Sequence, residues 1–375
     1  MIWLATALAA GALVYCGLAL YAALHYRKTA RIRPTADLPP ISILKPLKGA
    51  DLGLEDNLRS FFEQAYTGEF EIVFALEFAS DPAVGVVEKL QAQYPGIPAR
   101  ILIVGETPWT NAKVWSLHHM VEAARHDLLV MADSDIRVGP DLLTTLAQEF
   151  LADPRLGLAT CPYRAKGGPS LWSELEALGM NTEFLAGVLV ARLLEGMAFT
   201  LGPTVAARKQ AIAAVGGWEA FRAFLAEDFV LGQRVTAAGW NSILSAYVVE
   251  HRIGSETLRK NFAHRLRWNR STRRSRPAGY VGQIFTNPLP LVLFAWYLWG
   301  LTWPYLALGV SLRYGLGWVT ACWILGQKWG IRELLLLPVQ DTLSLAFWAL
   351  GFWGNQIEWR GRVFMLEKDG RLKPI

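Results

Sequence analysis

An uncharged apolar run near the start of the chain, from Ile2 to Leu24, constrains the fold more than any other feature. At a rise of about 1.5 Å per residue, a helix of this length crosses a hydrocarbon core of about 30 Å. A cleaved signal peptide carries positive charge before its apolar segment. Here the positive residues follow it, at Arg27, Lys28, Arg31 and Arg33. We therefore expect residues 1–33 to be a membrane anchor with a basic flank, and the next domain to lie in the cytoplasm.

A second apolar zone runs from Pro288 to about Trp353, interrupted by charged residues that include Arg313 and Asp341. Two or three further crossings fit its length. Residues 286–375 are therefore predicted to form a C-terminal membrane region and tail. Three crossings would place the tail outside, whereas its positive charges favour the inside, so the number of crossings and the side of the tail both stay open.

Composition narrows the class of protein and its partners. Hydrophobic residues make up 53% of the 375 and charged residues 18%, which argues against a wholly soluble or disordered chain. The formal net charge of +5 is small and scattered, which argues against a nucleic-acid partner. The three cysteines are far apart and include no C-x-x-C pair, which argues against a disulfide framework or a structural zinc site. The expected partner is a lipid bilayer.

Residues 34–285 have ordinary polarity and a length that suits one α/β domain. Apolar, β-favouring segments predict strands at 41–44, 71–78, 100–104 and 128–132. Helical patterns fall between them, at 56–65, 83–94 and 112–124. This alternation predicts a mostly parallel sheet, with ligands beyond the carboxyl ends of its strands. A further apolar segment, 171–201, fits either an amphipathic helix at the membrane interface or ordinary core helices.

Two carboxylates, Asp133 and Asp135, come directly after the strand at 128–132. In extended geometry residues i and i+2 point to the same side, so both can approach one hard cation. A D-x-D triplet is common by chance, and a helix-capping turn is the alternative explanation. The loop after the first strand adds two lysines and Asp51, and Asn111 to Lys113 stand at a predicted helix start, where backbone amides and a lysine suit an anion.

Two further clusters lie closer to the C-terminus. Glu227 and Asp228 precede an apolar helical pattern, with Trp218 about ten residues before them. Paired acids here indicate a positioned base. Taken alone, however, they are better explained as a helix N-terminus, where acids gain about 0.3 to 1 kcal/mol from the dipole. A basic cluster from His264 to Arg276 precedes the second apolar zone, and such clusters most often contact lipid headgroups.

Together these motifs resemble the ceramide glucosyltransferase family, a membrane branch of the processive-type glycosyltransferases with a GT-A nucleotide-sugar transferase domain. The order and spacing match at Lys-Pro-x-Lys-Gly-x-Asp (45–51), Asn-x-Lys (111–113), Asp-Ser-Asp (133–135), Glu-Asp (227–228) and Arg-Trp (267–268). The segment Ser275–Tyr280 is similar to bacterial relatives that glycosylate hopanoids. One departure is His264, which stands where the family has Gln or Arg. The charge of a histidine depends on pH, unlike that of arginine.

The resemblance implies an inverting transfer of a single hexose from a UDP-sugar to a hydroxyl of a membrane lipid. It implies that Asp228 is the general base, and that Asp135 with Asp133 holds Mg²⁺ or Mn²⁺. It implies nucleotide-sugar contacts from Asp51, Lys113, Asp133, Arg267 and Trp268. It places Glu227, Trp218 and His264 in the acceptor or diphosphate region.

Alternatives to this function stay open at the level of sequence. One is a hopanoid N-acetylglucosaminyltransferase of the same family. Another is a processive polysaccharide synthase, for which the membrane segments are too few. The last is a non-catalytic membrane scaffold, which would not need acids and cations at the ends of its strands. Neither the sugar nor the lipid acceptor follows from the residues. The expected location is a cell membrane, crossed several times, with the catalytic domain facing the cytoplasm.

Overall fold

The computed structural model of the chain describes residues 2–29, 37–299, 303–359 and 362–375. Arg31 and Arg33 of the predicted basic flank lie outside the described residues. The helices are α1 Ile2–Thr29, α2 Leu54–Phe62, α3 Ala83–Gln93, α4 Ala112–Ala123, α5 Leu142–Ala152, α6 Leu171–Gly179, α7 Leu185–Glu195, α8 Lys209–Ala213, α9 Glu227–Ala237, α10 Leu258–Ser275, α11 Pro277–Gly282, α12 Pro288–Trp299, α13 Trp303–Trp318 and α14 Ile331–Leu350.

The strands are β1 Ile41–Pro46, β2 Phe70–Leu76, β3 Ala99–Ile103, β4 Leu128–Ala132, β5 Ile136–Arg137, β6 Leu156–Thr160, β7 Tyr163–Lys166, β8 Thr204–Arg208, β9 Asn241–Leu244, β10 Val249–Arg252, β11 Gln356–Trp359, β12 Arg362–Leu366 and β13 Leu372–Pro374. Two π-helical turns interrupt longer helices, Met180–Phe184 between α6 and α7 and Val319–Ile324 after α13.

A seven-stranded sheet lies at the centre of the domain, in the order β3-β2-β1-β4-β8-β6-β9. Only β8 runs antiparallel to its neighbours, so the prediction of a mostly parallel sheet is confirmed. The segments predicted as strands form β1 to β4. Alternate residues of each strand face opposite layers: Ile43 packs with α2 and α3, whereas Leu44 packs with α4 and α9.

A small second sheet, in the order β5-β10-β7, stands beside the carboxyl end of β4. Its strand β10 pairs antiparallel with β5, and this register places His251 opposite Ile136. Because Ile136 directly follows Asp135, the pairing brings a histidine from far along the chain to the aspartates after β4.

Among the described residues, three helices are long and apolar enough to cross a membrane, Trp3–Lys28, Leu171–Glu195 and Ile331–Leu350. A pair bent by 62°, Pro277–Thr286 with Pro288–Leu298, would make a fourth. Helices of sufficient length and apolarity therefore lie in both regions where membrane segments are expected. The helix Leu171–Glu195 is 67% buried, against 28% and 22% for the other two, so it lies within the helix bundle rather than on a surface.

One buried ion pair joins the helices of this bundle. Arg313 of α13 and Asp341 of α14 are both fully buried, and they form two parallel hydrogen bonds, Nη2 to Oδ1 at 2.6 Å and Nε to Oδ2 at 2.8 Å. Arg313 Nη2 also donates to Thr182 Oγ1 in the π-helical turn, at 3.2 Å. Charges at such depth require pairing, so this contact fixes the relative position of three helical segments.

Strands β11 to β13 form an antiparallel sheet after α14, called here the C-terminal sheet. Arginines of α10 bind the main chain that leads into it: Arg270 Nη1 donates to Gln356 O at 2.6 Å, and Arg273 Nη2 donates to Gly354 O at 2.7 Å. The interpretation of the basic cluster as a lipid-headgroup contact is therefore wrong for these two arginines, because protein carbonyls occupy their donors.

Candidate active site

A pocket opens at the carboxyl ends of β1 and β4, the edge that the parallel sheet predicts. Five of the residues singled out in the sequence line it together: Lys113, Asp133, Trp218, Glu227 and Asp228. Segments far apart in the chain thus converge on one cleft.

Lys113 stands at the centre of this pocket because α4 begins beside it. The helix is capped by Asn111, whose Oδ1 accepts hydrogen bonds from Lys113 N at 3.0 Å and Val114 N at 3.2 Å. Lys113 Nζ lies 2.7 Å from Asp133 Oδ1 and 3.4 Å from Glu227 Oε1. Burial alone would lower the pKa of Lys113, but Asp133 and Glu227 outweigh it and raise the pKa above its usual value. Lys113 is therefore charged.

Asn111 also links the start of α4 to the start of α9. Its Nδ2 donates to Phe224 O at 2.9 Å and to Glu227 Oε2 at 3.2 Å. The sequence marks Asn111 as a helix start, but this contact with Glu227 lies outside any local pattern.

Asp228 lies in the first turn of α9, as the helix-start reading of Glu227 and Asp228 predicted. Gly202 faces its carboxylate: a Cβ on Gly202 would lie 2.9 Å from Asp228 Oδ2, so any side chain there would displace the carboxylate. A helix N-terminus lowers the pKa of an acid. Here burial, and then the charge of Glu227, raise the pKa of Asp228 to about 7 in spite of the opposing charge of Lys113. An acid with this pKa is suited to accept a proton near neutral pH.

Asp133 and Asp135 form a tight turn, closed by a hydrogen bond from Ile136 N to Asp133 O at 3.3 Å. The expectation of an extended triplet is therefore wrong, because β4 ends at Ala132. The two carboxylates contact different basic residues: Asp133 Oδ1 lies 2.7 Å from Lys113 Nζ, and Asp135 Oδ2 lies 3.1 Å from His251 Nε2.

Asp135 nevertheless keeps an atom available for a metal ion. Its Oδ1 is buried and has no hydrogen-bond partner among the described residues. Burial would raise the pKa of Asp135, but His251 outweighs it and lowers the pKa, so the carboxylate is ionised. Across the part of the chain that the structure describes, no three His, Cys, Asp or Glu residues are grouped to hold a metal. Mg²⁺ needs only one or two carboxylates when phosphates and water complete its shell, so these residues fit an ion that binds together with a diphosphate.

A second lysine, Lys45, binds the main chain of the turn that carries Asp133 and Asp135. Lys45 at the end of β1 is fully buried, donates from Nζ to Asp133 O at 2.5 Å and lies 3.9 Å from the centre of the Phe61 ring. Burial lowers the pKa of Lys45 to about 7. Asp51, in contrast, is exposed in the loop after β1 and is not among the residues that line the pocket.

The residues predicted on α10, His264, Arg267 and Trp268, are not among those that line the pocket. His264 Nδ1 is 2.6 Å from Glu176 Oε1, and the His264 ring is 5.0 Å from that of Trp268. Arg267 shares the same helix and is partly exposed. A row of rings connects Trp268 with the aspartate turn. The ring centres are 6.2 Å apart between Trp268 and Phe184, 5.3 Å between Phe184 and Tyr163, and 5.5 Å between Tyr163 and His251.

His251 and Glu176 are site residues that sequence reasoning missed. His251 contacts Asp135 across 116 residues of chain, and Glu176 contacts His264 across 88. Neither residue stands in a motif, so only the strand and helix pairing reveals them. Trp218, by contrast, was predicted, and it lies at the pocket wall with 3% of its surface exposed.

Comparison with known proteins supports a glycosyltransferase fold. The profile of Glycosyl transferase family 21 matches residues 4–372. Ceramide glucosyltransferase 1 of Caenorhabditis elegans is 30% identical over 244 residues, which cover 65% of this chain and 52% of that protein. Ceramide glucosyltransferase 3 of the same organism is 27% identical over 222 residues, covering 59% and 48%. The chain thus spans about half the length of these curated relatives.

Among solved structures, a mannosyltransferase from Pyrobaculum calidifontis in complex with GDP-Man and Mn²⁺ is similar in fold. The TM-score is 0.50 at 18% sequence identity, over 92% of this chain and 97% of that one. At this identity the likeness concerns the fold alone, and it confirms the predicted GT-A class.

Proposed function

Because the chain belongs to glycosyl transferase family 21, we propose that it moves a single hexose from a UDP-sugar to a hydroxyl of a membrane lipid, in the manner of a ceramide glucosyltransferase. The observation that carries this proposal is the convergence of Lys113, Asp133, Glu227 and Asp228 in one pocket beside the Asp135 turn.

Asp228 is the proposed general base. The lipid oxygen attacks the anomeric carbon as its proton passes to an Asp228 oxygen; the bond from that carbon to the diphosphate oxygen breaks, and UDP leaves from the opposite face. The configuration at the carbon is inverted. The pKa of Asp228 near 7 supports this role, because a base works best close to the operating pH.

Asp133 and Asp135 are the proposed ligands of Mg²⁺ or Mn²⁺. When bound, the ion offsets the charge that accumulates on the leaving diphosphate. Lys113 provides a fixed positive charge beside the same group. Asp51, Arg267 and Trp268 are proposed contacts of the nucleotide sugar, and Trp218, Glu227 and His264 border the acceptor or diphosphate region.

We place the activity at the cytoplasmic face of a cell membrane, where nucleotide sugars are dissolved and lipid hydroxyls are exposed. In this arrangement residues 1–33 anchor the chain, 34–285 form the catalytic domain and 286–375 form the second membrane region with its tail. Two of the apolar helices of membrane length, Trp3–Lys28 and Ile331–Leu350, lie in the two proposed membrane regions and support the arrangement, whereas Leu171–Glu195 is mostly buried in the catalytic domain.

An assay of UDP release from the purified chain in lipid vesicles tests the proposal. UDP-glucose, UDP-galactose and UDP-N-acetylglucosamine are each tested as donors with ceramide, diacylglycerol or a hopanoid polyol as acceptor. The lipid products are identified by mass spectrometry. We expect UDP release to require both a divalent ion and one lipid class, with one sugar added per lipid. A ladder of long products would indicate a polysaccharide synthase, and no release with any pair would favour a scaffold.

A further inference from the structure

The C-terminal sheet packs against the catalytic domain close to the proposed acid pair. Its own apolar cluster consists of Ile357, Phe364, Leu366 and Leu372, all nearly fully buried. The domain contributes Leu225, which packs against this cluster. Leu225 lies two residues before Glu227, so the sheet is attached directly beside the proposed acid pair.

Main-chain contacts extend the attachment. Leu372 N donates to Ala223 O at 2.7 Å, and Phe224 pairs with Arg371 as an isolated antiparallel bridge. The Arg371 guanidinium also lies 5.4 Å from the centre of the Phe224 ring. Arg371 and strand β13 therefore hold residues 223–225 by backbone, ring and apolar contacts.

The other side of segment 222–225 is held by Asn111. Asn111 N donates to Arg222 O at 3.0 Å, and its Nδ2 donates to Phe224 O and to Glu227 Oε2. The segment is thus fixed between the C-terminal sheet and the cap of α4. Any shift of the segment is transmitted to Glu227, and through Glu227 to its contact with Lys113.

We propose that the C-terminal sheet is a positioning element for catalysis, which sets the place of Glu227 and Asp228 relative to Lys113 and Asp133. This inference rests on the proposed glycosyl transfer. The aspartates after β4, in contrast, are held by β5, β10 and Lys45. Release of the C-terminal sheet would therefore displace Glu227 and Asp228 but leave these aspartates, the proposed metal ligands, in place.

Two variants of the full chain test this proposal. Leu372→Pro removes the N–H that binds Ala223 O, and Leu225→Ala removes the docking side chain without changing the sheet. Lys373→Ala, an exposed change in the same strand, is the matched control. We measure kcat, the KM for the UDP-sugar, the melting temperature and hydrogen exchange at the amides of Arg222 and Phe224.

In Leu372→Pro and Leu225→Ala we expect faster exchange at these amides and a kcat reduced by roughly 10- to 100-fold, since a misplacement of 1 Å costs about 10²-fold. The KM for the UDP-sugar should stay within about two-fold of its value in the unmodified chain. A general loss of stability would not lower kcat while leaving this KM unchanged. Lys373→Ala should match the unmodified chain. If Leu372→Pro fails to fold, the result with Leu225→Ala decides.

Unchanged exchange in the variants would overturn the proposal, and so would faster exchange with an unchanged kcat in an active chain. If the unmodified chain releases no UDP with any donor and lipid, the proposed function fails separately. Hydrogen exchange at residues 222–225 still reports whether the C-terminal sheet fixes this segment.

Discussion

Lys113 Nζ and Asp133 Oδ1 lie 2.7 Å apart, so a cation of the protein already occupies one of the two carboxylates assigned to the metal. A divalent ion that binds Asp133 must share it with this ammonium group or displace it. Lys113 Nζ also lies 3.4 Å from Glu227 Oε1. Its positive charge therefore offsets the repulsion between the acids of the pocket before substrate binds.

Substitution of this lysine should separate the binding of metal from the binding of nucleotide. In Lys113→Met we expect Mn²⁺ to bind more tightly in the absence of nucleotide, because Asp133 has lost its competing partner. UDP should bind roughly 10-fold more weakly in the presence of Mn²⁺, since a hydrogen bond to a charged group contributes about 1.5 to 3 kcal/mol. Titration calorimetry measures both constants. Lys89→Met, an exposed change, is the control, and an unaltered UDP affinity in Lys113→Met would argue against the assigned contact.

Removal of the proposed base should abolish turnover without abolishing binding. Asp228→Asn keeps the shape of the side chain but cannot accept the proton of the lipid hydroxyl, so kcat should fall by roughly 10² to 10⁴. UDP affinity should change little. The comparison is with Glu88→Gln, an exposed acid on α3. Normal turnover by Asp228→Asn would remove this residue from the role.

The pH dependence of the rate should report the same group. Asp228 must be ionised to act as a base and its pKa is raised to about 7, so kcat/KM should fall about 10-fold for each pH unit below that value. Glu227→Gln removes a negative neighbour that raises the pKa, and the acidic limb should therefore move to lower pH. Rates measured from pH 5 to 9 for both chains give the midpoints. A limb that moves upward in Glu227→Gln would contradict the assignment.

The buried Arg313–Asp341 pair between α13 and α14 should stabilise the helix bundle only while both partners are present. Arg313→Met leaves a buried, unpaired carboxylate and should destabilise the bundle by about 3 to 5 kcal/mol. The double variant Arg313→Met, Asp341→Leu leaves no charge and should recover most of that loss. Unfolding of both chains in the same detergent is the measurement. Equal losses in the single and double variants would show that the pair itself does not matter.

The C-terminal sheet should lie on the same side of the membrane as the catalytic domain, because Leu372 binds Ala223 directly. This prediction implies an even number of crossings between the two, which is also what the positive charges of the tail favour. Lys373→Cys and Glu88→Cys, each in a Cys322→Ser chain, should both react with an impermeant maleimide added to one side of sealed vesicles. Reaction from opposite sides would contradict the packing.

The sequence was sufficient for elements whose patterns are local. Strands β1, β2 and β4 are mainly apolar because they are buried on both faces, whereas β3 lies at the edge of the sheet and is partly exposed. The acids and lysines that follow these strands were therefore predicted at one edge. The start of α9 at Glu227 was also accessible from sequence, because acids in a first turn are a local signal.

What escaped prediction depends on contacts between distant parts of the chain. The pairing of His251 with Asp135 follows from β10 lying against β5, and no residue near either one signals it. The partners of Arg270 and Arg273 were misassigned for a similar reason: a basic helix before a membrane zone has the same pattern whether its donors meet lipid phosphates or protein carbonyls.

The attachment of strand β13 to the loop before α9 also sets an order of events during synthesis. The domain sheet is complete once β9 has left the ribosome, but the partner of Ala223 follows only after α12, α13 and α14 have been made. A nascent chain arrested before those helices would lack the contact that orders its acid pair. Under the proposal above, the acid pair reaches its final position only after these helices have been made.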